Sequence, residues 1–335
     1  MKVLLSITAA IAASLLLPPS SIAVEERGGS LLEITEWKVP WANTRPRDPW
    51  YGPDGKVWFV GQTGHYVATF DPRNGDFRRY ELEDGTGPHT VIVDKSGAWY
   101  AGNRANHIGR IDPATGRREV IQLPGNGTRD PHTMAFTHNG DIWFTLQHGN
   151  QIGFLKRKSR EIKLYDIDTP RARPYGLVVD AKDQPWFVLF GTNALGTIDP
   201  AGKVREIRLP RDESRPRRLA ATDDSMVWYV DFAQGYLGRY NPATNAITEW
   251  PMPGGRASGP YAMGADAQGR IWCVETGVHP NRFVGFDPGK ETFTEAVFIG
   301  SGGGTVRHMM FHPGTNSFWF GTDTNTIGRA EVKRP

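Results

Sequence analysis

Short apolar runs alternate with polar turns along the chain after about residue 30, and one unit of this pattern recurs seven times. In each unit an apolar run leads to Asp or Asn with Gly, then to Trp, usually followed by Phe or Tyr, and then to an Ile-Gly-Arg-like run. Repeats of roughly this length, built from short strands, are typical of β-propellers. The sequence therefore predicts an all-β, seven-bladed β-propeller with four-stranded blades. The intervals between its marker tryptophans are 41, 44, 43, 42, 44 and 47 residues, and these tryptophans are Trp58, Trp99, Trp143, Trp186, Trp228, Trp272 and Trp319.

The two ends of the repeat region predict how the ring closes. The last unit stops after residues 326–329 and lacks the Pro-ended outer strand that the other units have. Residues 34–40, Ile-Thr-Glu-Trp-Lys-Val-Pro, match the outer strand of the fifth unit at residues 247–253. We expect the N-terminal segment to become the outer strand of the last blade, because this pairing removes two open sheet edges.

The first 23 residues differ from the repeats. Lys2 precedes an apolar run over residues 3–17, and Ser21-Ile22-Ala23 has the small-X-small form of a signal-peptidase site. This arrangement predicts a signal peptide over residues 1–23. We then expect a single propeller domain over residues 24–335, located in the periplasm or secreted, with no membrane insertion after cleavage.

Composition narrows the function classes. The formal charge of +3 on 335 residues gives no argument for nucleic-acid binding. Cys273 is the only cysteine and lies in an apolar strand, so we expect a buried thiol and no intrachain disulfide. A closed propeller buries its own sheet edges, and we therefore expect a monomer.

Two positions in each unit are expected to face the mouth of the central channel, since all inner strands of a propeller begin at the same end. The first lies near the start of the inner strand, usually eleven residues before the Trp. These residues, called the inner ring, are Trp50, His89, His132, Tyr175, Arg217, Tyr261 and His308. The second position lies three residues after the Trp, and this outer ring consists of Gly61, Gly102, Leu146, Leu189, Asp231, Glu275 and Thr322.

The inner ring is mostly polar and aromatic, as binding sites for small molecules often are. A neutral histidine accepts a proton near neutral pH, and carboxylates with histidine can hold a divalent metal. Asp231 and Glu275 end the second strands of neighbouring blades, and His308 begins the blade that follows Glu275. A base, acidic metal ligands and an aromatic wall are therefore expected to converge at the mouth.

The repeats resemble the virginiamycin B lyases, also called streptogramin lyases. The resemblance covers residues 34–332 and is carried by Pro-His on inner strands, by Trp-Phe on second strands, and by residues 106–111, 150–153 and 325–329 on third strands. It implies an elimination that opens a cyclic depsipeptide ester, with a histidine base and a Mg²⁺ held by acidic residues.

The active blade of that family reads Glu-Pro-His, with a Glu 14 residues after the His. The last unit here offers His308, but Val306-Arg307 precedes it, and Thr322 with Asp323 stands where the Glu is expected. The third unit offers Asp130-Pro131-His132, with Leu146 at the later position.

Three hypotheses follow. The first is a lyase in which His308 or His132 is the base, with a cyclic peptide or other small molecule as ligand. In this lyase Mg²⁺ would be held by Glu275, Asp231, Asp130 or Asp323, and the substrate would be bound by His89, Trp50, Tyr175, Arg217 and Tyr261. The second is a non-catalytic propeller that binds an aromatic or anionic ligand, or a protein, in the periplasm. The third is a gluconolactonase-like hydrolase, with a metal held by Glu275, Asp231 and Asn103.

Overall fold

Seven four-stranded antiparallel sheets follow one another around a central axis in the computed structural model, which describes residues 30–127 and 129–333. The predicted signal peptide, residues 1–23, lies outside the described residues. In blades 1 to 6 the strands occur in chain order from the axis outward. The all-β, seven-bladed architecture predicted from the sequence is confirmed.

The first strand in the chain, β1 (Leu32–Lys38), belongs to the last blade. Blades 1 to 3 consist of β2 (Pro46–Tyr51), β3 (Val57–Gly61), β4 (Tyr66–Phe70) and β5 (Phe77–Glu81); β6 (Val91–Asp94), β7 (Gly97–Gly102), β8 (His107–Ile111) and β9 (Arg118–Gln122); and β10 (Pro131–Phe136), β11 (Ile142–Leu146), β12 (Gln151–Lys156) and β13 (Glu161–Asp166).

Blades 4 to 6 consist of β14 (Pro174–Val179), β15 (Pro185–Leu189), β16 (Ala194–Ile198) and β17 (Val204–Arg208); β18 (Pro216–Ala221), β19 (Val227–Asp231), β20 (Tyr236–Asn241) and β21 (Ala246–Pro251); and β22 (Pro260–Ala265), β23 (Ile271–Glu275), β24 (Arg282–Asp287) and β25 (Thr292–Phe298). Blade 7 contains β26 (Met309–His312), β27 (Ser317–Gly321) and β28 (Thr326–Val332). Short 3₁₀ turns occupy Asn103–Ala105, Arg256–Ser258 and Pro313–Thr315.

The ring closes as the sequence predicts. Strand β1 pairs antiparallel with β28, from Leu32 opposite Val332 to Lys38 opposite Thr326. Side chains lock this joint, because the Glu36 carboxylate accepts hydrogen bonds from the hydroxyls of Thr326 and Ser301. The last blade therefore gains its outer strand from the opposite end of the described chain.

The core lies between adjacent sheets and is built on the marker tryptophans. Five of them are among the largest fully buried side chains. The indole N–H donates to the carboxylate of the preceding turn in three blades, from Trp58 to Asp54, from Trp186 to Asp180 and from Trp272 to Asp266. These bonds satisfy the one polar atom of a large apolar side chain. Cys273 is buried, as predicted.

The inner strands carry an irregularity that matters for the mouth. In blades 3, 4 and 6 the pairing with the second strand shifts after the first residue, from Pro131 to Met134 in blade 3, and blades 1 and 5 have related shifts. Such bulges change the direction of side chains and recur near functional sites.

Among the described residues, no helix is both long enough and apolar enough to cross a bilayer.

Candidate active site

A buried ionic cluster lies on the axis and joins three blades. Asp48, only 1% exposed, pairs through Oδ1 with Arg47 Nε at 2.9 Å and through Oδ2 with Arg218 Nη2 at 3.4 Å. Arg218 also donates to the backbone carbonyl of Arg307 in the last blade. Burial opposes ionisation of Asp48, but Arg47 and Arg218 hold the pKa of its carboxyl well below the usual value. Asp48 is therefore an anion that two cations hold in place.

Two histidines stand above this cluster, each held by the threonine that follows it. The rings of His89 and His132 lie 3.3 Å apart between centroids. His89 Nδ1 is 3.0 Å from the Thr90 hydroxyl, and His132 Nδ1 is 3.0 Å from the Thr133 hydroxyl. Because Nδ1 of each ring is engaged, the Nε2 atoms remain for contact with a ligand.

The hydrogen bonds of the two threonines assign opposite tautomers to these histidines. The Thr90 hydroxyl donates to the ionised Asp48 at 2.9 Å, so it can only accept from His89, whose Nδ1 must carry the proton. The Thr133 hydroxyl instead accepts from Arg218 Nη1 at 3.0 Å, and His132 Nδ1 is the one acceptor that its own proton reaches among the described residues. His89 therefore has an unprotonated Nε2, and His132 has an Nε2–H.

Both imidazoles are neutral at physiological pH. Burial is the largest cause that lowers the pKa of His89 well below 6.5, followed by the nearby Arg47 and Arg218. Burial also lowers the pKa of His132 well below its usual value, with His89 and Arg218 adding to the effect. A neutral His89 is a proton acceptor, and a neutral His132 is a hydrogen-bond donor.

Aromatic residues of the inner ring continue this arrangement. The Tyr175 ring packs against His132 at 3.9 Å between centroids, and its hydroxyl hydrogen-bonds that of Tyr261. The Arg217 guanidinium lies 4.4 Å from the Tyr261 ring centroid. Although burial opposes ionisation, Arg47, Arg218 and Arg217 lower the pKa of Tyr175, whereas burial raises the pKa of Tyr261. The structure thus brings five predicted inner-ring residues together: His89, His132, Tyr175, Tyr261 and Arg217.

An open cavity of about 510 Å³, called the mouth cavity, lies over the two histidines. Four arginines and one carboxylate are among its lining residues, so its field favours anions. Its lining consists of Arg45, Arg47, Gln62, His89, Asn103, Arg104, Asp130, His132, Gln147, His148, Tyr175 and Arg307.

Trp50 does not belong to the inner ring, and this prediction from the sequence is wrong. Trp50 pairs with Trp58 in the sheet and packs edge-on against Phe136 at 6.0 Å between centroids. Pro46 lies opposite Gly61, as Pro131 lies opposite Leu146 in blade 3, so Arg47 is the equivalent of His132. The Pro49-Trp50 pair resembled the start of an inner strand, but that strand begins earlier, at Pro46.

His308 does not line the mouth cavity, but it lies close to the ionic cluster, because the Asp48 carboxylate and the His308 ring influence each other's pKa. Its Nδ1 is buried and has no hydrogen-bond partner within residues 30–127 and 129–333. Burial, with a contribution from Arg218, lowers the pKa of His308 to about 3. Its ring is therefore neutral.

Asp231 and Glu275, both predicted metal ligands, are engaged in holding loops. Asp231 Oδ1 accepts hydrogen bonds from the backbone amides of Arg215, Ala233 and Gln234. Glu275 accepts from the Gly254 amide at 2.7 Å and from Arg282 Nε at 2.6 Å. Both side chains are fully buried, at 0% exposure.

The other two predicted metal ligands lie nearer the mouth cavity but have partners of their own. Asp130 accepts from the backbone amide of His148 and contacts its Nδ1 at 2.8 Å. Asp323 forms an ion pair with Arg307, and Arg45 lies 3.8 Å away. No three His, Cys, Asp or Glu side chains are grouped for metal binding in the described part of the chain. Asp231 Oδ2 is the one buried oxygen of these four carboxylates without a partner among the described residues. Because the others are tied to arginines, a histidine and amides, the four do not fit a divalent cation as a set.

Several residues of the site were not predicted from the sequence. Asp48, Arg47 and Arg218 form the ionic cluster, and Thr90 and Thr133 set the tautomers. One signal was present: the tripeptide Pro-His-Thr occurs at residues 88–90 and again at 131–133. A strict count of eleven residues before Trp58 also gives Arg47 instead of Trp50.

Comparisons with known proteins agree with this architecture. A virginiamycin B lyase of Nocardia farcinica (strain IFM 10152) is 29% identical over 227 residues, which cover 65% of this chain and 73% of that protein. The crystal structure of virginiamycin B lyase from Staphylococcus aureus has a TM-score of 0.81 at 24% identity, and the match covers 90% of this chain and 100% of that chain.

A catalytically inactive histidine-to-alanine variant of the S. aureus lyase with quinupristin has a TM-score of 0.82 at 25% identity, again over 90% of this chain and 100% of that chain. The family description "Virginiamycin B lyase family" matches residues 22–285, which include every lining residue of the mouth cavity except Arg307. With the repeats, the ring closure and this match in agreement, the chain belongs to the virginiamycin B lyase family.

Proposed function

We propose that the protein is a carbon–oxygen lyase that works at the mouth cavity. One observation carries the proposal: His89 presents an unprotonated Nε2 beside the Nε2–H of His132, inside a cationic cavity. Family membership supports a reaction in which a histidine removes a proton next to a carbonyl group and an oxygen leaves from the neighbouring carbon.

His89 is the base in this proposal. Its Nε2 takes the proton from the carbon beside the carbonyl, and the ring becomes an imidazolium. The Nδ1–H then points to Thr90, which in turn donates to Asp48, and Asp48 Oδ2 lies only 3.6 Å from Nδ1. A buried carboxylate behind a histidine orients the ring and stabilises the charge that it acquires. Asp48 is therefore a positioning residue for His89.

His132, Arg47 and Tyr175 handle the other charges of the reaction. The His132 Nε2–H and Arg47 Nη2 are donors for the oxygen that becomes negative as the proton leaves. The electron pair of the C–H bond forms the new C=C bond, and the bond from the next carbon to the leaving oxygen breaks. The Tyr175 hydroxyl, with its lowered pKa, protonates that oxygen and regains a proton from His89 afterwards.

The magnesium assigned from the family resemblance has no step in this scheme. Glu275 and Asp231 bond arginine and backbone amides. Charge stabilisation falls instead to Arg47 and His132. The family resemblance implies that acidic residues hold Mg²⁺, and in this scheme they do not.

The test is turnover of substrates with an oxygen leaving group, followed by mass spectrometry. The probes are quinupristin and trigalacturonate, the latter as free acid and as methyl ester, each with Mg²⁺ and with EDTA. Elimination conserves the total mass of the products, whereas hydrolysis by a gluconolactonase-like enzyme adds one water. Elimination of any probe that is lost in His89→Gln supports the proposal, and no turnover of any probe contradicts it.

A non-catalytic binding protein is the second candidate, and the four-arginine lining of the mouth cavity favours it. Saturable binding of a probe without any product would identify this function. Binding that persists in His89→Gln would strengthen the conclusion.

We also propose that the protein is exported and acts as a monomer. The charged start, apolar run and Ser21-Ile22-Ala23 sequence support cleavage after Ala23. N-terminal sequencing of the protein from a periplasmic extract is expected to begin at Val24. An intact Met1 in that fraction, or a dimer in light scattering, would contradict the respective statement.

A further inference from the structure

Arg47 has a hydrogen-bond donor that no other residue in the described part of the chain uses. Its Nε pairs with Asp48 and its Nη1 donates to Gln62 Oε1 at 3.0 Å. Its Nη2 is buried and has no hydrogen-bond partner among the described residues. Arg47 is only 5% exposed and lines the mouth cavity. A buried guanidinium nitrogen without an acceptor carries a large desolvation cost, which a bound acceptor would remove.

The rim of the mouth cavity adds further cations above Arg47. Arg307 and Arg45 line it and share a single carboxylate, Asp323, which is 26% exposed. Arg104 lies on the same rim. Guanidinium groups match planar carboxylates in geometry and bind them through two parallel N–H···O bonds. The cavity thus presents fork-shaped donors beside the His89 base.

We infer that the substrate of this site carries a free carboxylate on the carbon from which His89 removes the proton, and that Arg47 and Arg307 bind it. This inference rests on the proposed function and names its substrate class: acids with an oxygen substituent on the carbon next to the acidic one. Uronic-acid glycosides are the common sugars of this type. Quinupristin-like neutral esters are then poor ligands.

The arginines favour removal of a proton next to a carboxylate. A proton beside a carboxylate is weakly acidic, because the product of its removal would carry a second negative charge. Two guanidinium groups neutralise the carboxylate and stabilise the dianionic enolate without a metal. His89 Nε2 gains the proton, the C=C bond forms, and the C–O bond breaks with its electron pair leaving on oxygen, which Tyr175 protonates.

The binding experiment is calorimetry of the full protein with galacturonate and, as an uncharged match, galactose. We expect binding of galacturonate only. The test variant is Arg307→Gln, which keeps the backbone carbonyl that accepts from Arg218. Arg208→Gln is the control, because Arg208 is an exposed arginine paired with Asp212 on an outer strand. Arg307→Gln is expected to weaken binding roughly tenfold, as loss of a charge-assisted hydrogen bond predicts, and Arg208→Gln is expected to have no effect.

The turnover experiment separates the inference from the proposed function. Elimination of trigalacturonate but not of its methyl ester supports both. Elimination of the methyl ester or quinupristin, without the free acid, overturns the carboxylate inference and leaves the lyase proposal standing. Binding of galacturonate that depends on Arg307, without elimination, supports the anion site and overturns the lyase. Equal binding of galacturonate and galactose, or equal affinity in Arg307→Gln and Arg208→Gln, overturns the inference.

Discussion

The mouth of the propeller differs sharply between blades 1 to 3 and blades 5 to 7. The outer ring has Gly61 and Gly102 on the first side, and Asp231 and Glu275 on the second. The side with small residues holds the open cavity, the histidine pair and three of the four arginines, and the fourth, Arg307, comes from blade 7. The side with carboxylates is closed, since these side chains are fully buried and bonded to loops.

This difference shows that equivalent positions in a repeat fold need not share a role. A carboxylate at the end of a second strand can hold a metal, but it can also accept backbone amides and an arginine from neighbouring loops. Which of these happens depends on the residues that surround it, and in blades 5 and 6 the amides and Arg282 take three of the four oxygens, all except Asp231 Oδ2.

Replacement of His89 is expected to have the largest effect on kcat, and replacement of His308 tests whether the blade 7 side takes part. His89→Gln is expected to lower kcat of the elimination by roughly 10²–10⁴-fold, the usual contribution of a general base. The matched variant His308→Gln removes a neutral histidine that lies near Asp48 but does not line the mouth cavity, and it should lower kcat far less than His89→Gln does. Equal losses in both variants, with both proteins folded by circular dichroism, would place the chemistry on the blade 7 side instead.

Removal of the axial carboxylate should cost stability. Asp48→Asn leaves Arg47 and Arg218 buried without their shared anion, and we expect the free energy of unfolding to fall by about 3–5 kcal/mol. Asp323→Asn, at a partly exposed pair, should cost no more than about 1 kcal/mol. Guanidinium unfolding curves of the two variants measure the difference. Similar small losses would mean that the axial cluster does not organise the mouth.

Glu275→Gln tests whether the carboxylates of blades 5 and 6 hold loops or bind a metal. Loss of the charged partner of Arg282 and of the Gly254 amide is expected to lower the free energy of unfolding by about 1.5–3 kcal/mol. The response of kcat to Mg²⁺ and EDTA should stay that of the unchanged protein. A magnesium requirement that disappears in Glu275→Gln would show that the carboxylate side binds the metal after all.

The acid limb of the pH profile is the smallest expected effect. Burial and nearby arginines lower the pKa of His89, so its neutral, basic form persists as the pH falls below 6.5. Measured kcat/KM at a pH about one unit below 6.5 should therefore stay within about twofold of its neutral value. A half-maximal point near 6.5 in the free enzyme would mean that the base is a solvated histidine instead.

The sequence was sufficient to predict the number of blades, their strand order and the closure by residues 34–40. Periodic apolar runs and turn residues specify these features locally, seven times over, and each copy supports the others. The same repeat placed His89, His132 and Tyr175 at one position, and the structure brings them together. The prediction for Trp50 was wrong because Pro49 resembles the proline that begins an inner strand, whereas this strand begins at Pro46.

The sequence by itself determined the fold of each blade and the residues at the axial end of its inner strand. Hydrophobic periodicity acts over a few neighbouring residues, so each blade is specified locally. Only the tertiary structure decided which side chains bond there. Asp48 and Arg218 are 170 residues apart and meet across the channel. Their hydrogen bonds with Thr90 and Thr133 set the proton positions on His89 and His132. Charge, burial and protonation depend on distances through space, and the chain pattern does not encode those distances until the ring is closed.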